Sequence, residues 1–152
     1  MDLHPDLTDL LAAFSSTSAE YVVVGGWAVA YHSEPRYTKD LDVLIGTDDQ
    51  NLQRVVAALL TFGAPASIIE AARTLGPDEF LFFGTPPARV DILRSIPGID
   101  FQEAYQRRVR TSWRDVEVSI LGLDDLIRAK RAAGRERDLR DVRALERSRR
   151  DP

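Results

Sequence analysis

Residues 22–30 read Val22-Val23-Val24-Gly25-Gly26-Trp27-Ala28-Val29-Ala30, and residues 38–45 read Thr38-Lys39-Asp40-Leu41-Asp42-Val43-Leu44-Ile45. Together they predict a strand, a glycine turn, a helix, a loop and a second strand. Side chains of a strand alternate between its faces, so Asp40 and Asp42 share one face. Leu41, Val43 and Ile45 then point the other way, into a core.

The two carboxylates and the two glycines predict a site for a metal and a phosphate. Carboxylates side by side repel each other unless a cation lies between them, and hard oxygen ligands suit Mg²⁺. The Gly25-Gly26 pair lets a group approach the backbone closely at a helix N-terminus, where phosphate is favoured. This combination indicates nucleotide chemistry. The alternative is a tight turn followed by a strand that carries two solvated acids.

A third acid lies in the predicted strand Arg89-Val90-Asp91-Ile92-Leu93. An unpaired buried carboxylate is costly, so Asp91 between two apolar residues needs a partner. A metal shared with Asp40 and Asp42 would be such a partner. The alternatives are an arginine, or water if the strand lies at the edge of the sheet.

Four further residues draw attention by type and position. Of 20 basic residues only Lys39 and Lys130 are lysines, which indicates places where arginine does not serve. Lys130 is a candidate phosphate contact because its ammonium group is a compact point charge. The alternative is a surface helix laced with ion pairs. Arg36 and Thr38 directly precede the acids, where they would orient phosphate or cap the loop.

Hydrophobic spacing and turn residues predict the other elements. The expected helices cover about 5–15, 48–62, 67–74, 101–107, 123–133 and 135–149, and the expected strands cover 80–83, 89–93, 110–113 and 116–120. Leu139, Val142 and Leu145 form a narrow apolar stripe on the last helix. We expect one domain over 1–152, with a core to about residue 120 and a helical C-terminal extension over about 121–150.

Composition narrows the class of protein. The hydrophobic fraction of 44% is ordinary for a globular chain, and the absence of cysteine excludes disulfides, thiolate metal sites and cysteine nucleophiles. No secretory signal and no apolar run long enough for a membrane span is visible, so we expect a cytoplasmic protein. The net charge is −4, yet residues 128–150 hold 10 basic and 4 acidic side chains. This basic segment would fold back on the acidic body or meet a phosphate-rich partner.

In order along the chain, Val24-Gly25-Gly26, Asp40-Leu41-Asp42 and Asp91 resemble the signature of the DNA polymerase β-like nucleotidyltransferase superfamily. Gly-Gly-Trp-Ala followed by Arg36-x-Thr38-x-Asp40-Leu41-Asp42 looks like the small bacterial minimal nucleotidyltransferases. These include the toxins of abortive-infection toxin–antitoxin systems. Lys130 followed by Arg137-Asp138-Leu139-x-Asp141 is similar to the helical motif that comes after the core in that toxin group.

The resemblance implies an α/β (α+β) fold in which helices pack on a mixed sheet, and an enzyme that transfers NMP from an NTP such as ATP to a hydroxyl, releasing pyrophosphate. Asp40, Asp42 and Asp91 would be catalytic and would hold two Mg²⁺ ions, with Asp91 also helping to deprotonate the acceptor. Gly25 and Gly26 would hold the triphosphate, and Lys130 would contact phosphate.

The partners stay open at this point. Protein, RNA and small molecules are the candidate acceptors, and an antitoxin is a candidate partner if the toxin resemblance extends to function. The toxins of this group are usually larger, so the acceptor site of this chain would be shallow, absent or shared with a second subunit in a homodimer. The alternative function is a catalytically silent nucleotide- or partner-binding module on the same fold.

Overall fold

The computed structural model describes residues 3–150, which form seven helices and six strands interspersed along the chain. The helices are α1 (Pro5–Ser16), α2 (Gly25–His32), α3 (Asp49–Phe62), α4 (Ala66–Arg73), α5 (Phe101–Gln106), α6 (Leu123–Ala133) and α7 (Glu136–Arg150). The strands are β1 (Tyr21–Val24), β2 (Asp40–Ile45), β3 (Phe80–Phe83), β4 (Arg89–Leu93), β5 (Val109–Trp113) and β6 (Val116–Ile120). These elements confirm the mixed α/β fold class.

The six strands form one mixed sheet in the order β3-β4-β2-β1-β6-β5. β1 pairs with β2 in antiparallel and with β6 in parallel orientation, while β2 and β4 are parallel. Two antiparallel pairs, β3 with β4 and β5 with β6, complete the sheet on either side. β1 and β2 are the central strands, and Tyr21–Val24 of β1 are all buried, whereas β2 is buried on both faces only over residues 43–45.

Alternation along β2 and β4 separates a core face from a polar face. Leu41, Val43, Val90 and Ile92 are buried on the core side, as the strand period predicts. Against this core, α1 and α3 pack on each other and contact β6 and β2 respectively. Asp48 caps α3 by accepting a hydrogen bond of 2.7 Å from the backbone N–H of Asn51.

The last two helices fold back on the body. α6 and α7 pack on each other, and both contact α2. Arg131 pairs with Glu146, and Arg149 pairs with Asp124. Both ion pairs join α6 to α7, and the contacts of these helices with α2 hold the basic segment on the domain, which agrees with the fold-back alternative.

One local prediction on these helices is wrong. Leu139 is 40% exposed, whereas Val142 and Leu145 are buried as expected. The buried stripe of α7 instead begins at Asp138, which is fully buried. The N-cap of α6 is Gly122, which makes no side-chain hydrogen bond. Within residues 3–150, the structure contains no helix with the length and apolar character that crossing a bilayer requires.

Candidate functional site

The register of the sheet brings the predicted acids together. β2 and β4 are parallel with Asp42 opposite Asp91 and Asp40 opposite Arg89. Directly paired residues of neighbouring strands project from the same face of a sheet. Asp40, Asp42 and Asp91 therefore share the polar face, on two adjacent strands, as the resemblance requires.

The glycine turn lies against one of these acids. Gly25 begins α2 at a φ of +66°, which favours glycine, and a Cβ built on it would lie 2.2 Å from Oδ2 of Asp42. A Cβ on Gly26 would lie 2.8 Å from Cγ2 of Thr38. Both glycines are needed because acidic and loop side chains come into direct contact with the backbone at the helix N-terminus.

Asp42 lies in an environment that disfavours its charge. Burial, followed by the neighbouring carboxylates of Asp91 and Asp40, raises the pKa of Asp42 to about 7, and Lys130 opposes the shift. A carboxylate in this setting binds either a proton or a positive group. A cation beside Asp42 would therefore stabilise the charged form of its carboxylate.

Arg89 supplies part of that positive charge. Its Nε donates a hydrogen bond of 3.0 Å to Oδ1 of Asp91 and lies 4.0 Å from Oδ2 of Asp40. The guanidinium also lies over the ring of Phe82, 4.2 Å from its centroid. Of the alternatives for Asp91, the partner in this structure is an arginine two residues earlier on the same strand.

The acids suit Mg²⁺ by chemistry but are not arranged as a finished metal site. Within residues 3–150, no three His, Cys, Asp or Glu side chains are grouped closely enough to hold an ion. The donor atoms are nevertheless hard carboxylate oxygens on one face of the sheet, the ligands that Mg²⁺ prefers, so an ion bound there would displace Arg89 from Asp91.

The predicted residues line one open cleft of about 720 Å³. All eight of them lie on its wall, together with Lys39, with Arg135 from the turn between α6 and α7 and with Arg137 from α7; the lining is Gly25, Gly26, Arg36, Tyr37, Thr38, Lys39, Asp40, Asp42, Asp91, Leu93, Lys130, Arg135, Arg137 and Asp141. Five cationic and four acidic side chains thus meet here, in a chain whose net charge is −4. A cleft of this size and charge suits a phosphorylated ligand.

Lys130 is held in place by two acids of α7. Its Nζ lies 3.4 Å from Oδ1 of Asp138 and 3.1 Å from Oδ2 of Asp141. Burial raises the pKa of Asp138, but hydrogen bonds from Arg135 and the charge of Lys130 outweigh it, so the pKa lies below its ordinary value. The ion-pair alternative for Lys130 therefore describes the structure, and Lys130 also faces the cleft.

Arg36 joins the loop before β2 to the same network. Its Nη1 donates a hydrogen bond of 2.8 Å to Oδ1 of Asp141, and Thr38 Oγ1 donates one of 3.3 Å to the carbonyl of Arg36. Burial raises the pKa of Asp141, but the hydrogen bonds and charges of Arg36 and Lys130 outweigh burial, so the pKa lies below its ordinary value. The loop that carries Thr38 is thus fastened to α7 across the cleft.

Sequence reasoning missed several members of the site. Arg135 and Tyr37 lie on the cleft wall, and Arg89 pairs with the acids. Arg137, which belongs to the helical motif after Lys130 but was assigned no role, also lies on the wall. Arg89 carried a usable signal, because residues two apart on a strand share a face. The others follow from how α7 and the loop fold over β2, which local patterns do not reveal.

Two residues left out of the site have structural roles. Trp27 is buried and packs on Trp113 with ring centroids 5.8 Å apart. His32 Nε2 lies 2.8 Å from the carbonyl oxygen of Leu121, which fixes the end of α2 to the chain after β6. Both side chains therefore hold α2 in place.

The sequence of this chain matches the model of one protein family. The family model "Nucleotidyltransferase of unknown function (DUF6036)" matches residues 5–148. The chain belongs to this family. The match covers the strands that carry the three acids as well as the helices that close the cleft. The description does not extend to a toxin branch, which stays a prediction from the resemblance.

A solved structure supports the same fold. A nucleotidyltransferase-like protein from Paracoccidioides brasiliensis, described as antigenic, superimposes with a TM-score of 0.55 at 17% sequence identity. The match covers 93% of this chain and 73% of that protein. At this identity the similarity concerns the fold alone. No curated protein matches the chain significantly.

Proposed function

We propose that this member of the family is a Mg²⁺-dependent nucleotidyltransferase that moves NMP from an NTP to a hydroxyl acceptor. The observation that carries the proposal is the register of β2 and β4, which sets Asp42 opposite Asp91 with Asp40 on the same face. The close approach of Gly25 to Asp42 places a helix N-terminus beside these acids. Triphosphate and metal would therefore bind side by side.

In the reaction, the oxygen of the acceptor hydroxyl attacks the α-phosphorus and forms a new P–O bond. The bond between the α-phosphorus and the bridging oxygen to the β-phosphate breaks, and pyrophosphate leaves. Bound Mg²⁺ would neutralise the phosphate charge that otherwise repels the acids. Asp91 would accept the proton of the attacking hydroxyl after Arg89 has released it.

The remaining side chains of the cleft would position the triphosphate. The backbone N–H groups at the start of α2 would face the phosphates near Gly25 and Gly26. Lys130, already close to Asp42, would add a point charge, and Arg36 and Thr38 would bound the loop side of the cleft. Asp138 and Asp141 would orient Lys130 and Arg36 for this task.

The test separates binding from turnover. Calorimetry with Mg²⁺ and each of the four NTPs should show binding of at least one of them, and absence of binding would refute the nucleotide site. Asp42→Asn should weaken Mg²⁺-dependent NTP binding at least tenfold, since it removes one metal ligand. Asp9→Asn is the matched control, because Asp9 is an exposed acid on α1, outside the cleft lining.

Release of pyrophosphate then distinguishes an enzyme from a silent binding module. With a competent acceptor, the wild-type chain should release pyrophosphate and Asp42→Asn should not. NTP binding without release across protein, RNA and small-molecule acceptors would favour the silent module instead. Pyrophosphate release should also be measured after wild-type chain or Asp42→Asn chain is added as a second copy. A difference between the two additions would reveal a site shared in a homodimer.

A further inference from the structure

Two exposed phenylalanines lie on the same sheet face as the acids. Phe80 and Phe82 are 57% and 51% exposed, respectively, on β3, which forms one edge of the sheet. In the β3–β4 register, Phe82 is opposite Asp91 and Phe80 is opposite Leu93. Phe82 therefore stands beside the acid that would face the acceptor, and Phe80 lies next to Phe82 on the same face.

The rings form a platform, here defined as Phe80 and Phe82. Their centroids are 6.4 Å apart and their planes are inclined by only 28°. Arg89 lies over Phe82 and reaches Asp91 with its Nε, so the platform continues into the acid cluster without a gap. Although Arg89 lies over Phe82, both phenylalanines stay about half exposed, and this exposed apolar surface costs free energy unless a ligand covers it.

The geometry points to a single-stranded nucleic acid as the acceptor, and we propose that its last bases stack on Phe80 and Phe82 while its 3′-hydroxyl faces Asp91. The proposal rests on the function proposed above and names its substrate class. Successive bases stack on aromatic side chains in this way without sequence preference. The 3′-oxygen would form the bond to the α-phosphorus, pyrophosphate would leave, and the hydroxyl proton would pass to Asp91.

Charge supports this occupant over a second copy of the chain. The cleft beside the platform carries five cationic side chains, of which Arg36, Lys130 and Arg135 already pair with Asp141 or Asp138. Lys39 and Arg137 have no ion pair within residues 3–150 and would pair with backbone phosphates. A second copy would bring the same acids and the same net charge of −4. The phosphates of a single-stranded nucleic acid complement the basic side chains of the cleft, and its bases complement the rings of the platform.

The test measures binding of end-labelled 12-nucleotide probes, RNA and DNA of one sequence, to the full chain by fluorescence anisotropy. The double variant Phe80→Ala/Phe82→Ala should bind both probes at least tenfold more weakly, because base stacking on each ring is lost. Phe82→Leu, which keeps an apolar side chain without a π-face, should also weaken binding. Phe82→Tyr should retain it, and a fully duplex probe should bind weakly.

Leu60→Ala is the matched control, because Leu60 is 54% exposed but lies on α3, outside the cleft lining. It should leave probe binding unchanged. Equal binding by wild type and the double alanine variant, or no binding at all, would overturn the inference. A wild-type dimer in sedimentation that becomes monomeric in the double variant would also overturn it, because a second copy would then cover the rings.

Probe binding needs no NTP, so the two proposals fail separately. Retained NTP binding with ring-independent probe binding would refute only the acceptor assignment. Ring-dependent probe binding without any NTP binding would refute the nucleotidyltransferase function. Transfer of labelled NMP to a probe with a 3′-hydroxyl, but not to a 3′-deoxy probe, would support both.

Discussion

The contact between Gly25 and Asp42 allows a quantitative test. In Gly25→Ala, an L-residue is forced to a φ of +66°, which costs about 1–2 kcal/mol of folding free energy. The new Cβ would also lie 2.2 Å from Oδ2 of Asp42, so the carboxylate must move by about 1 Å to reach an ordinary contact distance. We expect a total loss of about 2–4 kcal/mol.

Gly63→Ala isolates the backbone cost. Gly63 ends α3 at a φ of +88°, and its added Cβ would meet no atom within 4 Å. This variant should therefore lose only about 1–2 kcal/mol, or roughly 2–8 °C in Tm for a domain of this size. The difference between the two variants measures the crowding at Asp42.

Thermal unfolding and NTP calorimetry together make up the assay. Because a displacement of about 1 Å in a catalytic group costs about 100-fold in rate, Gly25→Ala should also lose Mg²⁺-dependent NTP binding or transfer. Gly63→Ala should keep both. Equal Tm values for the two variants, with NTP binding intact in each, would refute the claim that Asp42 is packed against the helix N-terminus.

Two further predictions concern pH. In the folded, metal-free protein the pKa of Asp42 is raised from 3.8 to about 7. The contribution of Asp42 to stability is therefore fully present below pH 4 and is lost as the pH rises through 7. Urea titrations at several pH values should show that the wild type loses up to about 4 kcal/mol of unfolding free energy over this range relative to Asp42→Asn. A flat difference between the two proteins would contradict it. Burial lowers the pKa of His32 below 6.5 despite its hydrogen bond with Leu121. The contribution of His32 to the free energy of unfolding is therefore present above pH 6.5 and is lost as the pH falls from there through the folded pKa. His32→Gln should unfold with a weaker dependence on pH between 7 and 5. A steeper dependence in this variant would show that His32 is protonated in the fold.

Local patterns in the sequence were enough for most element bounds. Asp100 accepts a hydrogen bond of 3.1 Å from the N–H of Glu103 at the start of α5, and Gly134 ends α6 at a φ of +68°. Such signals act within one helical turn, so they are legible without knowledge of the fold. The same holds for the shared face of Asp40 and Asp42, which needs only the period of a strand.

The pairing of strands that are distant in the sequence could not be predicted from local patterns. β1 lies parallel to β6, with Val23 opposite Ile120, and no spacing in the sequence indicates that register. Resemblance supplied the meeting of Asp91 with Asp42, whereas the residues alone left Asp91 with three alternatives. The position of Arg89 depends on Phe82 in a neighbouring strand, which only the register reveals.

The stripe of α7 shows why a count of apolar residues misled. Asp138, Val142 and Leu145 follow the spacing i, i+4, i+7 and are all buried. Asp138 occupies the position that hydrophobicity alone assigned to Leu139, because Arg135 and Lys130 compensate its charge. Burial of a charged residue becomes predictable only when its partners on the preceding helix and turn are known.

The ion pair between Arg36 and Asp141 joins residues 105 positions apart, and it bears on how the protein is made. A nascent chain on the ribosome carries β1, α2 and β2 early, yet Asp141 on the facing wall of the cleft is translated 105 positions after Arg36. Fragments that stop before Asp141 would leave the loop after α2 without this ion pair. Premature termination would therefore yield products in which the two walls of the cleft are not joined at Arg36.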